Sequence, residues 1–392
     1  MALQIAACMQ HRWWKISSVG KLFLLAGTLA ACGTGSYGAV PPFPQGKLSL
    51  LDLPAPYVLP GQIVLGPDGN LWFPAIAYAN FATSKPAGAI GRLTPAGQFQ
   101  MFALPDPNSY PTTITLGRDG SVWFTAFQGN GKLNSTVDTQ PSFTGGYSEI
   151  GSMTPDGKFR VFTLPSSIAH NVSLAGIAAG PDGNLWFTEN LVAGGSTGQS
   201  IGRMTPAGIF SAFPLHGLPA YSYLRQVITG PDGNLWFSIE GSDPNYNAVG
   251  EIGRITPQGA ISIFPLGKFN VLQDMTIGPD HNIWFTTIQN VGRITMAGNV
   301  RTFDPNPHAS ASSRISLGGI ASGPDGALWF ATANVAVGRV TTSGAFTLYP
   351  FPSNTHFDNG SSSLSLGQLK GIVKGADGTL WLTDGGQIGH FM

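Results

Sequence analysis

Cysteine is nearly absent: the 392 residues contain two, Cys8 and Cys32, both close to the N-terminus. Past residue 32 no disulfide can form, so any folded body there is held together by packing. Charge is scarce as well, with 20 basic and 20 acidic residues that cancel to zero and make up 10% of the chain. That balance excludes a basic nucleic-acid-binding face and an acidic tail. No Gly-rich phosphate loop, Cys-x-x-Cys or His-Glu-x-x-His occurs. His170, His216, His308, His356 and His281 are dispersed along the chain without ligand spacing, which favours surface and loop-packing roles.

What the chain has in quantity is a repeated sentence, Gly180-Pro181-Asp182-Gly183-Asn184-Leu185-Trp186-Phe187-Thr188-Glu189. Its copies align on Trp72, Trp123, Trp186, Trp236, Trp284, Trp329 and Trp381, leaving only Trp13 and Trp14 outside. Proline sets φ at the turn's first corner, the Asp side chain bonds the backbone ahead of it, and Gly takes a positive φ. Each copy therefore reads as strand, tight turn, strand. A second sentence follows, as Ile90-Gly91-Arg92-Leu93-Thr94-Pro95-Ala96-Gly97 or Ile252-Gly253-Arg254-Ile255-Thr256-Pro257, and reads as two more strands. The repeated Asp and Arg are assigned to turns and packing, and His390, in place of the Arg, likewise. Four strands in roughly fifty residues is a propeller blade.

The ends set the blade count. The seventh copy stops at Ile388-Gly389-His390-Phe391-Met392, one strand short, and Lys47-Leu48-Ser49-Leu50-Leu51-Asp52-Leu53-Pro54 supplies the missing one. The predicted fold is all-β: a seven-bladed propeller of four-stranded blades over residues 47–392, closed by an N-terminal strand that completes the last blade. The repeated tryptophans give it an ample core.

Ahead of it, Arg12, Lys15 and Lys21 precede an apolar run from Leu22 to Ala31 and the segment Leu29-Ala30-Ala31-Cys32-Gly33. The run is too short to span a bilayer and has the charged start and small-residue end of a secretory signal. It resembles a bacterial lipoprotein signal, with residues 1–31 removed and Cys32 lipidated; an ordinary signal cut near Ala39 is the alternative. Residues 32–46 are a Gly-, Ser- and Pro-rich tether. Met9 is an alternative start that would remove Cys8. The expected product is a monomeric envelope protein, anchored through lipid and facing the periplasm or outer membrane if the cell has one.

In this topology both short turns fall on one face, and the variable connections share the other. The long connections are Pro74 to Ala89, Thr125 to Glu149, Ser238 to Glu251, Pro305 to Leu317 and Phe351 to Lys370. Binding is usually built on such loops. Two positions per blade are predicted to face the channel there. Eleven residues before the Trp stand Gly61, Thr112, Ala175, Arg225, Gln273, Gly318 and Lys370; three after it stand Ala75, Ala126, Glu189, Ile239, Thr287, Thr332 and Asp384. Glu189, Arg225, Gln273, Lys370 and Asp384 are the polar cluster to which a ligand is assigned. The bland readings are an ion pair for Lys370 and Asp384, solvated lip residues for Arg225 and Gln273, and a repeat remnant for Glu189.

The repeated Gly-Pro-Asp-Gly-Asn-Leu-Trp-Phe-Thr-Glu and Ile-Gly-Arg-Ile-Thr-Pro sentences resemble those of the streptogramin lyase (virginiamycin B lyase) family over nearly all of residues 47–392. The resemblance implies a seven-bladed propeller that opens a cyclic depsipeptide by elimination at its ester, using magnesium and a histidine base. The family's Glu-x-His-Gly-Ile and the Glu after its last Trp-Phe correspond here to Gln368-Leu369-Lys370-Gly371-Ile372 and to Asp384. A further substrate-contacting His corresponds to Gly318. One carboxylate with an amide, beside an ammonium, is a weak magnesium site. Lys370 could act as a base only with a lowered pKa, and Asp384 would raise it.

The leading expectation is a binding module for a small molecule, peptide, glycan or protein, with Gln368 beside the polar cluster and the family's catalytic residues largely replaced. The alternatives are a lyase in which Lys370 and Asp384 do altered chemistry, or a metal-dependent lactonase-like hydrolase using Glu189, Gln273 and Asp384.

Overall fold

A computed structural model describes residues 47–58, 61–77, 87–128, 147–165, 172–191, 198–268, 270–307, 315–332, 336–351, 371–384 and 386–392. The signal, the tether and Cys32 lie outside them. Among the described residues there is no helix, and the strands form seven antiparallel sheets around a central channel.

Blade 3 serves as the pattern: Val172–Ala179, Leu185–Leu191, Ser200–Met204 and Phe210–Pro214 pair in that order from the channel outward. Blade 1 differs only in its innermost strand, which is broken into Tyr57–Val58 and Val64–Leu65, both paired to Leu71–Ala77. Blade 7 is closed from the other end of the chain, because Leu48–Asp52 pairs with Gln387–Phe391, Leu48 opposite Phe391. Lys47 and Met392 exchange backbone hydrogen bonds of 3.2 and 3.1 Å, so the ring shuts on the chain's own two ends.

The repeated residues each have a physical job. Asp182 Oδ1 accepts hydrogen bonds from the Asn184 backbone N–H (3.2 Å) and from the Trp186 indole N–H (3.0 Å), so one carboxylate fixes both the turn and the ring. Trp186 is fully buried and stacks on Phe213 with centroids 5.3 Å apart. The Arg203 guanidinium lies 5.4 Å from the Trp186 ring centroid and donates to the Pro257 carbonyl of blade 4 at 3.1 Å. The Gly of Ile-Gly-Arg is needed for space: a Cβ on Gly202 would meet the Phe187 ring at 2.1 Å. Where that ring is Leu382 instead, the contact at Gly389 relaxes to 3.5 Å.

A further device joins the blades. The innermost strands of blades 3, 4 and 6 bulge between their twelfth and ninth residues before the Trp, as between Leu174 and Ile177 or Leu224 and Val227, and those of blades 2 and 5 between the twelfth and tenth. A bulge leaves backbone groups outside the ladder. The hydroxyl two residues after the Trp closes it. Thr188 Oγ1 accepts the Gly176 N–H at 2.8 Å and donates to the Arg225 carbonyl of the next blade at 3.2 Å. Thr286 donates likewise to the Gly318 carbonyl (2.6 Å), and Thr383 joins blade 7 to blade 1 through the Gly61 carbonyl (2.8 Å).

The long Ser238 to Glu251 connection is more regular than its sequence suggests. Leu235–Ser242 and Ala248–Ile255 stay paired as far as Ser242 opposite Ala248, so blade 4 extends as a hairpin with a tight turn at its tip.

Candidate functional site

The innermost strands of all seven blades enclose a channel of about 590 Å³. Of the predicted channel residues, Ala175, Arg225 and Gln273 line it. Glu189 does not. It lies two residues before the end of the second strand of blade 3, Leu185–Leu191, one strand away from the axis. It is 1% exposed, as Ile239, Thr287 and Thr332 are at equivalent positions, each 1% or less. Gln368 and Lys370 lie outside the described residues. For Asp384 the backbone is described, at the end of the last blade's second strand, opposite Gln387.

The bulge of the innermost strand decides which residues reach the channel. The tenth residue before the Trp lines the channel too, which adds Gln62, Thr113, Gln226 and Asp274. Gln226 bridges blades 4 and 5: its Oε1 accepts the Met275 N–H at 2.6 Å and its Nε2 donates to the Met275 carbonyl at 3.2 Å. Asp274 bridges blades 5 and 6, Oδ2 accepting the Ile320 N–H at 2.8 Å. Burial in the channel wall pushes the carboxyl up to about 6, against the pull of its backbone donors and Gln226. The signal that could have found them is a polar residue at that offset, where blades 3 and 7 carry Gly176 and Gly371.

Arg225 pairs with Glu240, Nε to Oε1, at 2.7 Å. Burial raises the Glu240 carboxyl while Arg225 draws it down, and burial wins. Related acids recur on the loop-rich side of blades 2 to 4. Burial also raises Glu149, which accepts the Ser109 hydroxyl at 2.6 Å, and Glu251. Glu189 is pushed up to about 7 by burial, because only the Ser200 hydroxyl opposes it. Its Oε1 has no hydrogen-bond partner. The channel thus offers one ion-paired guanidinium, the three amides of Gln62, Gln226 and Gln273, and a carboxyl that takes up a proton below about pH 6.

The family model for the virginiamycin B lyase family matches residues 41–144, 132–271 and 246–390. The chain belongs to the virginiamycin B lyase family. A virginiamycin B lyase from Nocardia farcinica is 28% identical over 161 residues, which is 41% of this chain and 43% of that protein, so the match spans under half of the relative's length. A streptogramin B lyase structure is similar at 25% identity and a TM-score of 0.63, covering 88% of this chain and 97% of that one. A catalytically inactive histidine-to-alanine variant of Staphylococcus aureus virginiamycin B lyase, solved with quinupristin, is similar at 25% identity and the same TM-score, over 88% and 99% of the two chains.

Membership of the virginiamycin B lyase family carries an expectation of magnesium, and the donors do not suit it. The corresponding positions are Gln368, Lys370 and Asp384, an amide, an ammonium and one carboxylate. Among the described residues no group of three or more His, Cys, Asp or Glu could hold a metal ion.

Proposed function

We propose that this virginiamycin B lyase family member is an envelope lipoprotein, attached through Cys32, that binds a ligand or partner at the loop-rich mouth of its channel. The family's metal and histidine chemistry is not retained in this reading. The observation that carries it is the convergence of Arg225, Gln226, Gln273 and Asp274, from blades 4 and 5, on one channel of about 590 Å³. A pocket of that size with a few convergent polar groups is the ordinary form of a small-ligand or peptide-end site. Arg225 is 37% exposed at its side chain although ion-paired, so it can meet an anionic or carbonyl group of a ligand while Glu240 keeps it oriented.

Lyase activity is the second reading, favoured by family membership itself. Both are tested with the full chain and quinupristin, with magnesium and then with a chelator, following thermal stability and the chromatographic form of the peptide. Elimination opens the ring without changing its mass, whereas hydrolysis adds a water. Ring opening that requires Lys370 and Asp384 would overturn the binding-only reading. The binding reading expects no turnover, with partners that co-purify from detergent-solubilised envelope on the wild type and are lost from Arg225→Ala. The anchor is checked by metabolic labelling with a fatty-acid analogue, which Cys32→Ser should abolish.

A further inference from the structure

The tight hairpin turns of this fold place their fourth residue in the left-handed region, and glycine nearly always fills it, as at Gly183 (φ 81°) and Gly208 (φ 93°). The turn at the tip of the blade 4 hairpin closes in the same way, with Tyr246 N–H donating to the Asp243 carbonyl and Asp243 N–H to the Asn247 carbonyl, both at 2.9 Å. Its left-handed residue is Tyr246, at φ 60°. Close by, Tyr221 lies in a bulge of the innermost strand of blade 4, between Ala220 and Tyr223, at φ 54°. For a bulky residue this conformation is unfavourable, and strain of this kind persists where surrounding structure enforces it.

Neither ring repays that strain by packing into the core. Tyr221 is 66% and Tyr246 78% exposed, and the two rings lie side by side with centroids 6.5 Å apart at 31°. The backbone beneath them is firmly held. Asp243 accepts hydrogen bonds from the Asn245 and Asn247 backbone N–H groups at 2.8 and 2.9 Å and pairs with Lys268 at 2.9 Å. Ser222, next to Tyr221, is buried and donates to the Pro219 carbonyl.

Beside Tyr221 opens a cavity of about 800 Å³ whose described walls include Leu191, Gln199, His216, Leu218 and Tyr223. It shares no described lining residue with the channel. No Asp, Glu, Lys or Arg is among its described lining residues, so its chemistry is flat aromatic surface with amide, imidazole and phenol groups. Among those residues a charged ligand finds no counter-charge. A sugar ring has apolar C–H faces that lie on an aromatic ring and hydroxyls that exchange hydrogen bonds with uncharged polar groups. The cavity also has the volume of an ordinary small-ligand site.

We propose that Tyr221, Tyr246 and this cavity form a second ligand site, separate from the channel, that takes an uncharged sugar residue of a glycan. Rigid aromatic anchors on a fixed backbone lose little entropy on binding. The test uses the full-length protein and neutral chito-, cello-, malto- and manno-oligosaccharides, with binding read by intrinsic fluorescence and saturation-transfer NMR. At least one series should bind saturably. Its affinity should fall at least tenfold in Tyr246→Gly, which gives the turn the residue its counterparts carry and so keeps it folded. Tyr246→Phe, which keeps the ring, and Arg225→Ala, in the channel, should both bind as the wild type does. Absence of saturable binding by every series, binding indifferent to Tyr246→Gly, or capture of a proline-rich peptide in place of a glycan would each overturn the proposal.

Discussion

Glu189→Gln should make the protein more stable at neutral and alkaline pH while changing little at pH 4.5. Glu189 is 1% exposed, takes one hydrogen bond, from Ser200, and leaves Oε1 without a partner. Burial therefore raises its carboxyl from an ordinary 4.5 to about 7. A folded-state value above the unfolded one means that the native protein holds the proton more tightly. The resulting stability is fully present below about pH 4.5 and is lost as pH rises through about 7. At about 1.4 kcal/mol per tenfold change in proton affinity, the loss over that window is on the order of 3 kcal/mol. Glutamine keeps the shape, can accept the Ser200 hydroxyl, and has no proton to lose. Urea unfolding of both proteins between pH 4.5 and 8 should give curves that meet at the acid end and diverge by on the order of 2–3 kcal/mol at pH 8. Asp274 also loses stability as pH rises, through about 6, but it is common to both proteins and cancels in the difference. A difference that stays constant across this range would refute the reasoning.

Thr188→Val removes the hydroxyl that serves both the Gly176 N–H and the Arg225 carbonyl. Leaving those groups unmade should cost about 1–3 kcal/mol in urea unfolding, and an unchanged midpoint would show that the bulge needs no such tie. His281→Gly acts in the opposite direction. His281 is exposed at φ 57° in a turn position that is otherwise glycine, so relief of about 1–2 kcal/mol against roughly 0.5–1 of unfolded-state entropy should raise stability slightly, and a fall in Tm would contradict this. Gly202→Ala should destabilise by about 1–3 kcal/mol, because its Cβ would enter the Phe187 ring at 2.1 Å and approach Glu189 Oε1 at 2.6 Å; wild-type stability would show that the ring can move aside.

Most of the architecture could be read from the chain because a repeat writes each structural need several times over. Trp186 recurs because it stacks on a ring of the outermost strand, a place that His390 of the third strand takes in blade 7, and Asp182 recurs because a single carboxylate holds both the turn and that ring. The missing strand at the C-terminus and its match at residues 47–54 predicted the closure that pairs Leu48 with Phe391. The hydroxyl two residues after the Trp was equally visible, as Thr125, Thr188, Ser238, Thr286 and Thr383, but its purpose involves a carbonyl one blade away.

The candidate site was less legible for the same reason. An offset counted along a strand assumes an unbroken period of two, and the bulge breaks that period just where the innermost strand meets the channel. Hence Gln226 and Asp274 reach the channel beside Arg225 and Gln273, while Glu189 is buried one strand away from the axis. By itself the sequence determined the number of blades, their strand order, their turns and the way the ring closes, because these follow from local residue chemistry repeated at a fixed period. Only the tertiary structure decided which side chains share the channel, which carboxyls burial shifts upward, and that two strained tyrosines of blade 4, one in a strand bulge and one in a hairpin turn, stand side by side. Those outcomes depend on bulges and on neighbours far away in the chain.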